Sequence, residues 1–361
     1  MSGDILPEET ISTRLLKLRQ RMKAENIDLF VVQNRQNISY FSGLENISGH
    51  LFIDQIDKPL FYVMDKQFHQ ASDLVPKLIR LEKGQPDYKD ELVEELTNRA
   101  RGERGVAFDL LDVSNFRKIT ERLNFIPILG ESILRALQRF YDQDELNLVR
   151  RAASIADAGF KAAREMLRPG VTELEVLGQM QYTFRKEGSE WDTFRVFGSG
   201  LNSAYSEALP TNRAIQRGDM VFIDIGPSYR GYRADMTRSF VVGKPSARQR
   251  KILDSLVEVE HEAVKLAQVG VKAHELDAQV RRLVIDRGFN DYLHHTGHAL
   301  DGAFEIVPES DAHLESGDVI CLEPGIYVPG IGGGRLEDEM LICQDLPDLI
   351  THASRDPYIN I

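Results

Sequence analysis

Acidic side chains stand beside apolar, strand-forming residues in the second half of the chain. One segment reads Val221-Phe-Ile-Asp224-Ile-Gly226, and Asp235 follows after a short stretch that contains Gly231. A carboxylate within a buried strand is costly unless its charge is compensated. Two such acids on neighbouring strands therefore predict a bound cation.

Two later segments add groups of the same kind. One is HHTGH at residues 294–298, and the other combines CLE at 321–323 with GRLE at 334–337. A mostly oxygen donor set with one imidazole suits Mn²⁺, Co²⁺, Zn²⁺ or Fe²⁺ in a paired site. Two ions about 3.5–4 Å apart can share a hydroxide nucleophile, which is hydrolase chemistry.

A simpler interpretation fits each residue taken alone. A single aspartate at a strand end is often a solvated terminus or a salt-bridge partner. A single histidine is usually a polar group whose hydrogen bonds are satisfied within the protein. The spacing of these residues by itself leaves both interpretations open.

Helices and strands are predicted around these segments. A long amphipathic helix begins after Asp142 and ends at Pro169-Gly170, and Thr172 with Glu175 suits a capping box for the next helix. Residue identities show no internal repeat. Further strands are predicted at residues 220–225, 239–242, 319–322 and 339–343, with two helices separated at residues 269–270.

The first 130 residues or so read as a small α/β domain. Leu15, Leu18 and Met22 recur at helical spacing and precede an apolar strand at residues 28–32. More strands are predicted at residues 51–53, 60–63 and 106–108, and helices at 91–99 and 113–122. A linker is predicted near residues 130–141.

Composition and charge restrict the partners and the compartment. The 361 residues carry a net charge of −12, which argues against a nucleic-acid partner. No apolar stretch approaches the roughly 18 residues that a membrane span needs, and residues 1–10 lack the pattern of a signal peptide. Two cysteines predict no disulfide framework. A cytoplasmic protein with no membrane partner is expected.

Five segments taken in order resemble the pita-bread metallopeptidases, in particular aminopeptidase P and prolidase. They are IDIG at residues 223–226, GYRADMTRSF at 231–240, HHTGH at 294–298, LEPGIY at 322–327 and GGGRLEDE at 332–339. The resemblance implies a dinuclear metal centre with Mn²⁺ as the first candidate and Co²⁺, Zn²⁺ or Fe²⁺ as alternatives. Its ligands would be Asp224, Asp235, His298, Glu323 and Glu337.

The resemblance also implies the fold and the assembly. An α/β N-terminal domain of the creatinase type at residues 1–135 would precede an α+β pita-bread catalytic domain (creatinase/aminopeptidase-like) at 142–361. The segment NISYFSG at residues 37–43 is similar to part of the family's smaller domain. Because that domain often contributes to dimerisation, a homodimer is expected.

Further roles follow from the resemblance. Glu323 would be both a metal ligand and the proton acceptor. His294 matches a position near the substrate. Arg335 matches an arginine that pairs with acids near the metals, and it is a further candidate for substrate binding. Asp338 would support the ligands, and His295 has no assigned role.

The chain departs from the family at two pocket histidines. Glu207 stands at the first of these positions and Glu305 at the second, so both are candidate catalytic and substrate-binding residues. Two more acids would disfavour a bound proline carboxylate and favour a cationic group. The alternative is that both glutamates face solvent. Asp301 is a further possible pocket acid.

Three functions are therefore compared. The first is a dinuclear-metal hydrolase of an amide-like C–N bond in a short peptide, of the Xaa-Pro aminopeptidase or dipeptidase type. The second is a relative repurposed for a small cationic non-peptide substrate, as a hydrolase or a lyase. The third is a non-catalytic interaction module, which the presence of all five metal-ligand candidates disfavours.

Overall fold

The protein divides into two compact units. The computed structural model describes residues 6–84, 91–99, 105–123, 125–290, 292 and 294–359. The N-terminal unit is Met1–Gln138 and the C-terminal unit is Arg139–Ile361. The boundaries predicted at residues 135 and 142 lie on either side of this division. Residues 1–5, part of the start considered for a signal peptide, lie outside the described residues.

A six-stranded sheet forms the centre of the N-terminal unit. Its strands in chain order are β1 (Ile27–Val32), β2 (Gly49–Asp54), β3 (Leu60–Val63), β4 (Arg80–Lys83), β5 (Gly105–Phe108) and β6 (Ile128–Leu129). Their order across the sheet is β4-β3-β2-β1-β5-β6. The helices are α1 (Glu8–Ala24), α2 (Arg35–Ser42), α3 (Phe68–Leu74), α4 (Glu91–Arg99), α5 (Val113–Leu123) and α6 (Glu131–Gln138).

Strand β1 shows why this sheet is buried on both faces. Successive side chains of a strand point to opposite faces. Phe30 and Val32 belong to one apolar cluster, which also contains Leu15 and Leu18 of α1. Val31 belongs to a second cluster with residues of α4 and α5. The predicted α/β character of this unit is confirmed.

Several elements of this unit were not predicted. The strand β4 has the sequence RLEK and is half-exposed or exposed along its length, so it carries no apolar pattern. The helix α2 has only eight residues and begins after Asn34, whose side chain accepts from Gln36 N–H. The segment predicted as a linker, residues 130–141, contains α6.

The C-terminal unit contains two helical pairs. They are α7 (Gln143–Met166) with α8 (Glu173–Lys186), and α9 (Ala247–Leu266) with α10 (Ala273–Asp286). Asp142 and Thr172 cap α7 and α8 through reciprocal hydrogen bonds with Glu145 and Glu175. Each box satisfies two N–H groups that a helix start leaves without partners. The predicted capping box at Thr172 is confirmed.

Three sheets accompany these helices. The strands are β7 (Asp192–Ser199), β8 (Met220–Tyr229), β9 (Tyr232–Arg233), β10 (Thr237–Val242), β11 (Gly297–Ala299), β12 (Glu305–Ile306), β13 (Val319–Leu322), β14 (Gly325–Val328), β15 (Gly332–Arg335), β16 (Asp338–Leu341), β17 (Asp348–Leu349) and β18 (Tyr358–Ile359). One sheet has the order β18-β10-β8-β7 with β9 paired to β8, and a second has the order β12-β11-β13-β16-β17. The strands β14 and β15 form a two-stranded ribbon.

The C-terminal unit repeats one arrangement twice, a helical pair followed by a sheet. Helices α8 and α10 each have 14 residues. Gly170 and Gly270, in the turns before them, have φ angles of 92° and 88°. The sequence showed no repeat in residue identities, because the repeat lies in turn positions and helix lengths. Among the described helices, none combines the length and the apolar composition that a membrane span requires.

Candidate metal centre

Asp224 and Asp235 are placed by two paired strands. Strands β8 and β10 run antiparallel, with Asp224 opposite Thr237. Asp235 lies between β9 and β10, where its N–H donates to Glu339 Oε1 at 2.5 Å. Asp224 is 3% exposed and Asp235 is 4% exposed. Both carboxylates are therefore inside the unit rather than at its surface.

The other three candidates come from the second sheet. His298 lies on β11, opposite Cys321 of β13. Glu323 directly follows β13, and Glu337 directly precedes β16. Because β11, β13 and β16 are adjacent strands, these three side chains start close together.

All five side chains converge. His298 Nε2 lies 3.6 Å from Asp235 Oδ2 and 3.5 Å from Glu323 Oε1. One ligand atom each of Asp224, Glu323 and Glu337 lies within 4.8 Å of the others. Residues spread over more than 100 positions of sequence thus meet in one buried cluster.

The concentration of negative charge is visible in the pKa values. Burial raises the pKa of Asp235 well above its ordinary value, and the charges of Asp224 and Glu323 add to this. Burial also raises the pKa of Glu337 well above its ordinary value, again with help from neighbouring acids. The pKa of Asp224 is raised by burial although the cation of Arg335 opposes it. Without added positive charge, these acids cannot all ionise at neutral pH.

The donor atoms fit divalent cations. Among the described residues, the buried atoms Asp224 Oδ1 and Asp235 Oδ1 have no hydrogen-bond partner, although buried polar atoms nearly always have one. His298 Nδ1 lies 2.9 Å from Ala299 O. If Nδ1 donates there, Nε2 presents its lone pair to the acids, as in a metal-binding histidine.

Arg335 joins two of the predicted site residues. Its Nη2 donates to Asp224 Oδ2, and its Nη1 lies 2.7 Å from His294 Nε2. Burial lowers the pKa of His294 to about 4, so the neutral ring can accept from Arg335. Nε of Arg335 donates to Thr237 Oγ1 at 3.2 Å. The predicted pairing of Arg335 with an acid is present in the structure, while substrate binding by Arg335 stays a prediction.

Two residues near the centre had no predicted role. His295 Nε2 lies 2.8 Å from Glu323 Oε1. The pKa of Glu323 is lowered from 4.5 to about 2, because contact with His295 and the nearby positive charges outweigh the opposing effect of burial.

Cys321 also lies at the centre, since its Sγ is within 4.8 Å of ligand atoms of Asp235, His298 and Glu337. Cys321 reaches the cluster through its pairing with His298 across β13 and β11, and no local signal in the sequence marks that pairing.

Glu207 and Glu305 lie at the exposed edge of the centre. The Glu207 side chain is 76% exposed, and its Oε1 lies 4.0 Å from Arg335 Nη1. Glu305 is exposed on β12 and is directly opposite His298 in the register. Its charge is among those that raise the pKa of His295 against the effect of burial. Both glutamates are solvated and act electrostatically on groups of the buried cluster.

Asp301 lies apart from the five candidates. It occupies the turn between β11 and β12, and its Oδ1 accepts from Ala303 N–H at 3.0 Å. Within the described residues it belongs to none of the clusters that could hold a metal. The structure therefore gives no support for Asp301 as an additional pocket acid.

Asp338 anchors the strand that carries Glu337. Its carboxylate accepts from Arg238 Nη2 at 2.6 Å, Thr351 Oγ1 at 2.7 Å and Arg355 Nε at 2.8 Å. The charges of Arg238 and Arg355 lower the pKa of Asp338 although the residue is completely buried. The start of β16 is therefore held by charged hydrogen bonds, which fixes the position of the neighbouring glutamate.

Two family models match the chain. That of metallopeptidase family M24 matches residues 147–344, and that of the creatinase/prolidase N-terminal domain matches residues 14–137. The chain belongs to metallopeptidase family M24. It is a metal-dependent hydrolase with a creatinase-type N-terminal domain and a pita-bread catalytic domain, and the family implies divalent metal ions.

Relatives match over nearly the full length. The Xaa-Pro dipeptidase of Pyrococcus furiosus is 31% identical over 352 residues, which cover 95% of this chain and 99% of the relative. The structure of the Xaa-Pro dipeptidase from Bacillus anthracis has a TM-score of 0.87 at 28% identity and covers 96% of this chain and 99% of its own. The prolidase from Pyrococcus horikoshii OT3 has the same TM-score at 27% identity and the same coverage. The predicted two-domain fold is confirmed.

Proposed function

We propose that this chain is a two-metal dipeptidase that cleaves the peptide bond of short Xaa-Pro substrates. Relatives of that named activity match 95% and 96% of the chain. The observation that carries the proposal is the convergence of four buried carboxylates and one imidazole. One carboxylate oxygen each of Asp224 and Asp235 has no hydrogen-bond partner among the described residues. The proposed metal ligands are Asp224, Asp235, His298, Glu323 and Glu337.

The protein's own groups supply positioning and a proton path. Divalent ions held by these residues, with Mn²⁺ as first candidate, would polarise the scissile carbonyl and activate water. Glu323 accepts the proton, and His295, 2.8 Å away, passes it outward, because its side chain is 34% exposed. Arg335 holds Asp224 in one orientation through its buried guanidinium.

A second candidate substrate class rests on Glu207 and Glu305. These exposed acids place negative charge where a substrate would enter. That charge repels the free carboxylate of a dipeptide and attracts an amine, a guanidinium or an amidine. A small cationic amide is therefore the alternative substrate.

One assay separates the two substrate classes. Metal-free protein is supplied with Mn²⁺ or Co²⁺ and given Xaa-Pro dipeptides and a panel of cationic amides. Glu207→Gln and Glu305→Gln are compared with Glu309→Gln, an exposed glutamate near β12. For a dipeptidase, the first two variants should lower KM for dipeptides by about two- to five-fold, because repulsion of the substrate carboxylate is removed.

The possible outcomes of this assay distinguish the two substrate classes. Turnover of a cationic amide without dipeptide cleavage, lost in Glu207→Gln and Glu305→Gln but retained in Glu309→Gln, would establish the second class. Dipeptide cleavage that improves further in a Glu207→His/Glu305→His double variant would identify a modified peptidase pocket. If metal-loaded protein cleaves no substrate of either class, both proposals fail.

We also propose a homodimer. The family resemblance assigns dimerisation to the N-terminal domain, and that unit exposes large apolar side chains, among them Ile56 at 88%, Ile126 at 79% and Leu129 at 73%. Light scattering during gel filtration should give twice the chain mass of 40.9 kDa. A mass equal to that of one chain at micromolar concentration would exclude a stable dimer.

A further inference from the structure

Cys321 occupies an unusual place for a thiol. It lies on β13, is fully buried, and is two residues before Glu323. Side chains of residues directly opposite each other in an antiparallel pair share one face of the sheet, so its side chain lies on the same face as that of His298. In the register of the sheet it pairs with His298 on one side and with Glu339 on the other.

The distances place the sulfur among ligand atoms. Cys321 Sγ and one ligand atom each of Asp235, His298 and Glu337 all lie within 4.8 Å of one another. Asp235 contributes a second, independent observation, because its buried Oδ1 has no hydrogen-bond partner among the described residues. The four groups together offer two oxygens, one nitrogen and one sulfur around a common point.

We propose that Cys321 Sγ is a ligand of the metal ion held by Asp235, His298 and Glu337. This inference rests on the proposed metal centre and makes one half of it a mixed nitrogen, oxygen and sulfur site. The sulfur–metal bond forms as the thiol proton leaves to solvent. The other half, formed around Asp224, keeps an oxygen donor set.

The chemical consequence is a difference between the two metal positions. Thiolate is a soft ligand that favours Zn²⁺, Co²⁺ or Fe²⁺, whereas an all-oxygen set suits Mn²⁺. The position next to Cys321 therefore prefers Zn²⁺, Co²⁺ or Fe²⁺, and the position next to Asp224 accepts Mn²⁺. When Mn²⁺ and one of the softer metals are supplied together, we expect each chain to bind one ion of each kind.

The structure offers a matched control for the test. Both cysteines, Cys321 and Cys343, are free thiols. Cys343 is partly exposed, its Sγ lies 3.6 Å from Leu341 O, and it belongs to none of the metal-ligand clusters of the described residues. In Cys343→Ser, Cys321 is the sole thiol of the chain, so any sulfur signal of that variant comes from Cys321.

The experiment is a Co²⁺ titration of the metal-free full chain, followed by absorption spectroscopy with the bound metal counted in the same samples. The wild type and Cys343→Ser should both show a near-ultraviolet sulfur-to-cobalt charge-transfer band. Cys321→Ser should bind Co²⁺ without this band, and its preference for Zn²⁺ over Mn²⁺ in competition should fall about ten-fold or more.

Each result decides one claim. Stoichiometric Co²⁺ binding without the band in Cys343→Ser would overturn the ligand role of Cys321 and leave the metal centre standing. A failure of the wild type and of Cys343→Ser to bind Co²⁺ would instead overturn the metal centre itself. The decisive sample is Cys343→Ser, which keeps Cys321, so the test holds even if Cys321→Ser does not fold.

Discussion

At the scale of single residues, Arg335 determines how the acidic cluster is held. Arg335 is 3% exposed, and its guanidinium contacts Asp224, His294 and Thr237. A buried charge without partners is strongly destabilising, so each partner depends on the others. The fixed planar group of arginine can reach several partners at once, which a lysine ammonium cannot do in the same geometry.

Arg335→Gln should therefore lower the stability of the metal-free protein. Asp224 would lose its cation while remaining buried, which costs about 3 kcal/mol and should lower the melting temperature of the C-terminal unit by roughly 6–12 °C. Thermal denaturation followed by circular dichroism measures this.

Arg282→Gln is the control for that measurement. It removes an exposed pair with Asp286, in which the arginine side chain is 73% exposed, and should cost less than about 1 kcal/mol. Equal melting temperatures for the two variants would show that the buried pair does not hold the cluster.

At the scale of elements, the position of His298 depends on the close contact of β11 with β13. A Cβ added to Gly297 would lie 2.1 Å from the backbone oxygen of Cys321. Backbone atoms cannot yield as a flexible side chain does, so the two strands would have to separate. His298, the next residue, would move with β11.

Gly297→Ala should thus weaken metal binding as well as stability. Gly178→Ala, in the middle of α8 with nothing within 4 Å of an added Cβ, should instead stabilise the protein by about 0.5–1 kcal/mol. Metal titration of both variants against wild type is the measurement. Unchanged metal affinity in Gly297→Ala would mean that strand separation does not control His298.

Helix α9 and strand β16 meet at a buried carboxyl pair. Glu260 is 1% exposed, and burial together with the charge of Asp338 raises its pKa from 4.5 to about 8. Arg355 Nε lies 3.4 Å from Glu260 Oε2 and 2.8 Å from Asp338 Oδ2. At neutral pH Glu260 is mostly protonated, while in the unfolded chain it would be ionised.

This raised pKa predicts the sign of a pH dependence. Between the unfolded value near 4.5 and the folded value of about 8, the folded state binds more protons than the unfolded state, so stability is lost as pH rises. Glu260→Gln removes this loss. The melting temperature of Glu260→Gln minus that of the wild type should therefore increase between pH 5 and pH 9. The increase should correspond to a change of a few kcal/mol in the relative free energy of unfolding.

Glu258→Gln on the same helix serves as the comparison. Its side chain is 63% exposed and pairs with Arg287 at the surface, so its effect should be small and nearly independent of pH. If the difference in melting temperature between Glu260→Gln and the wild type stays constant with pH, the raised pKa of Glu260 is contradicted.

At the scale of the whole molecule, local signals predicted much of the fold. Apolar runs predicted β1, β3 and β13, and the side chains of Thr172 and Glu175 predicted the start of α8. These signals lie within a few residues of the element that they define. The strand β4 was missed because its charged residues at a sheet edge carry no such signal.

Long-range features needed the structure. The motifs pointed to five residues as ligands, but their distances depend on the register of two separate sheets. The positions of His295 and Cys321 next to those residues depend on the same registers. The repeat of the C-terminal unit was equally hidden, because it is a repeat of turns and helices rather than of residue types.

The number of Co²⁺ ions bound per chain tests the central claim most directly. Metal-free protein is dialysed to equilibrium against Co²⁺, and bound metal is counted for the wild type, for an Asp224→Asn/Glu337→Gln variant, and for Asp301→Asn as a control outside the clusters. We expect two ions per chain in the wild type and in Asp301→Asn, and fewer than two in the double variant. Saturation of the wild type below two ions, or two ions retained by the double variant, would contradict a dinuclear centre built from these five residues.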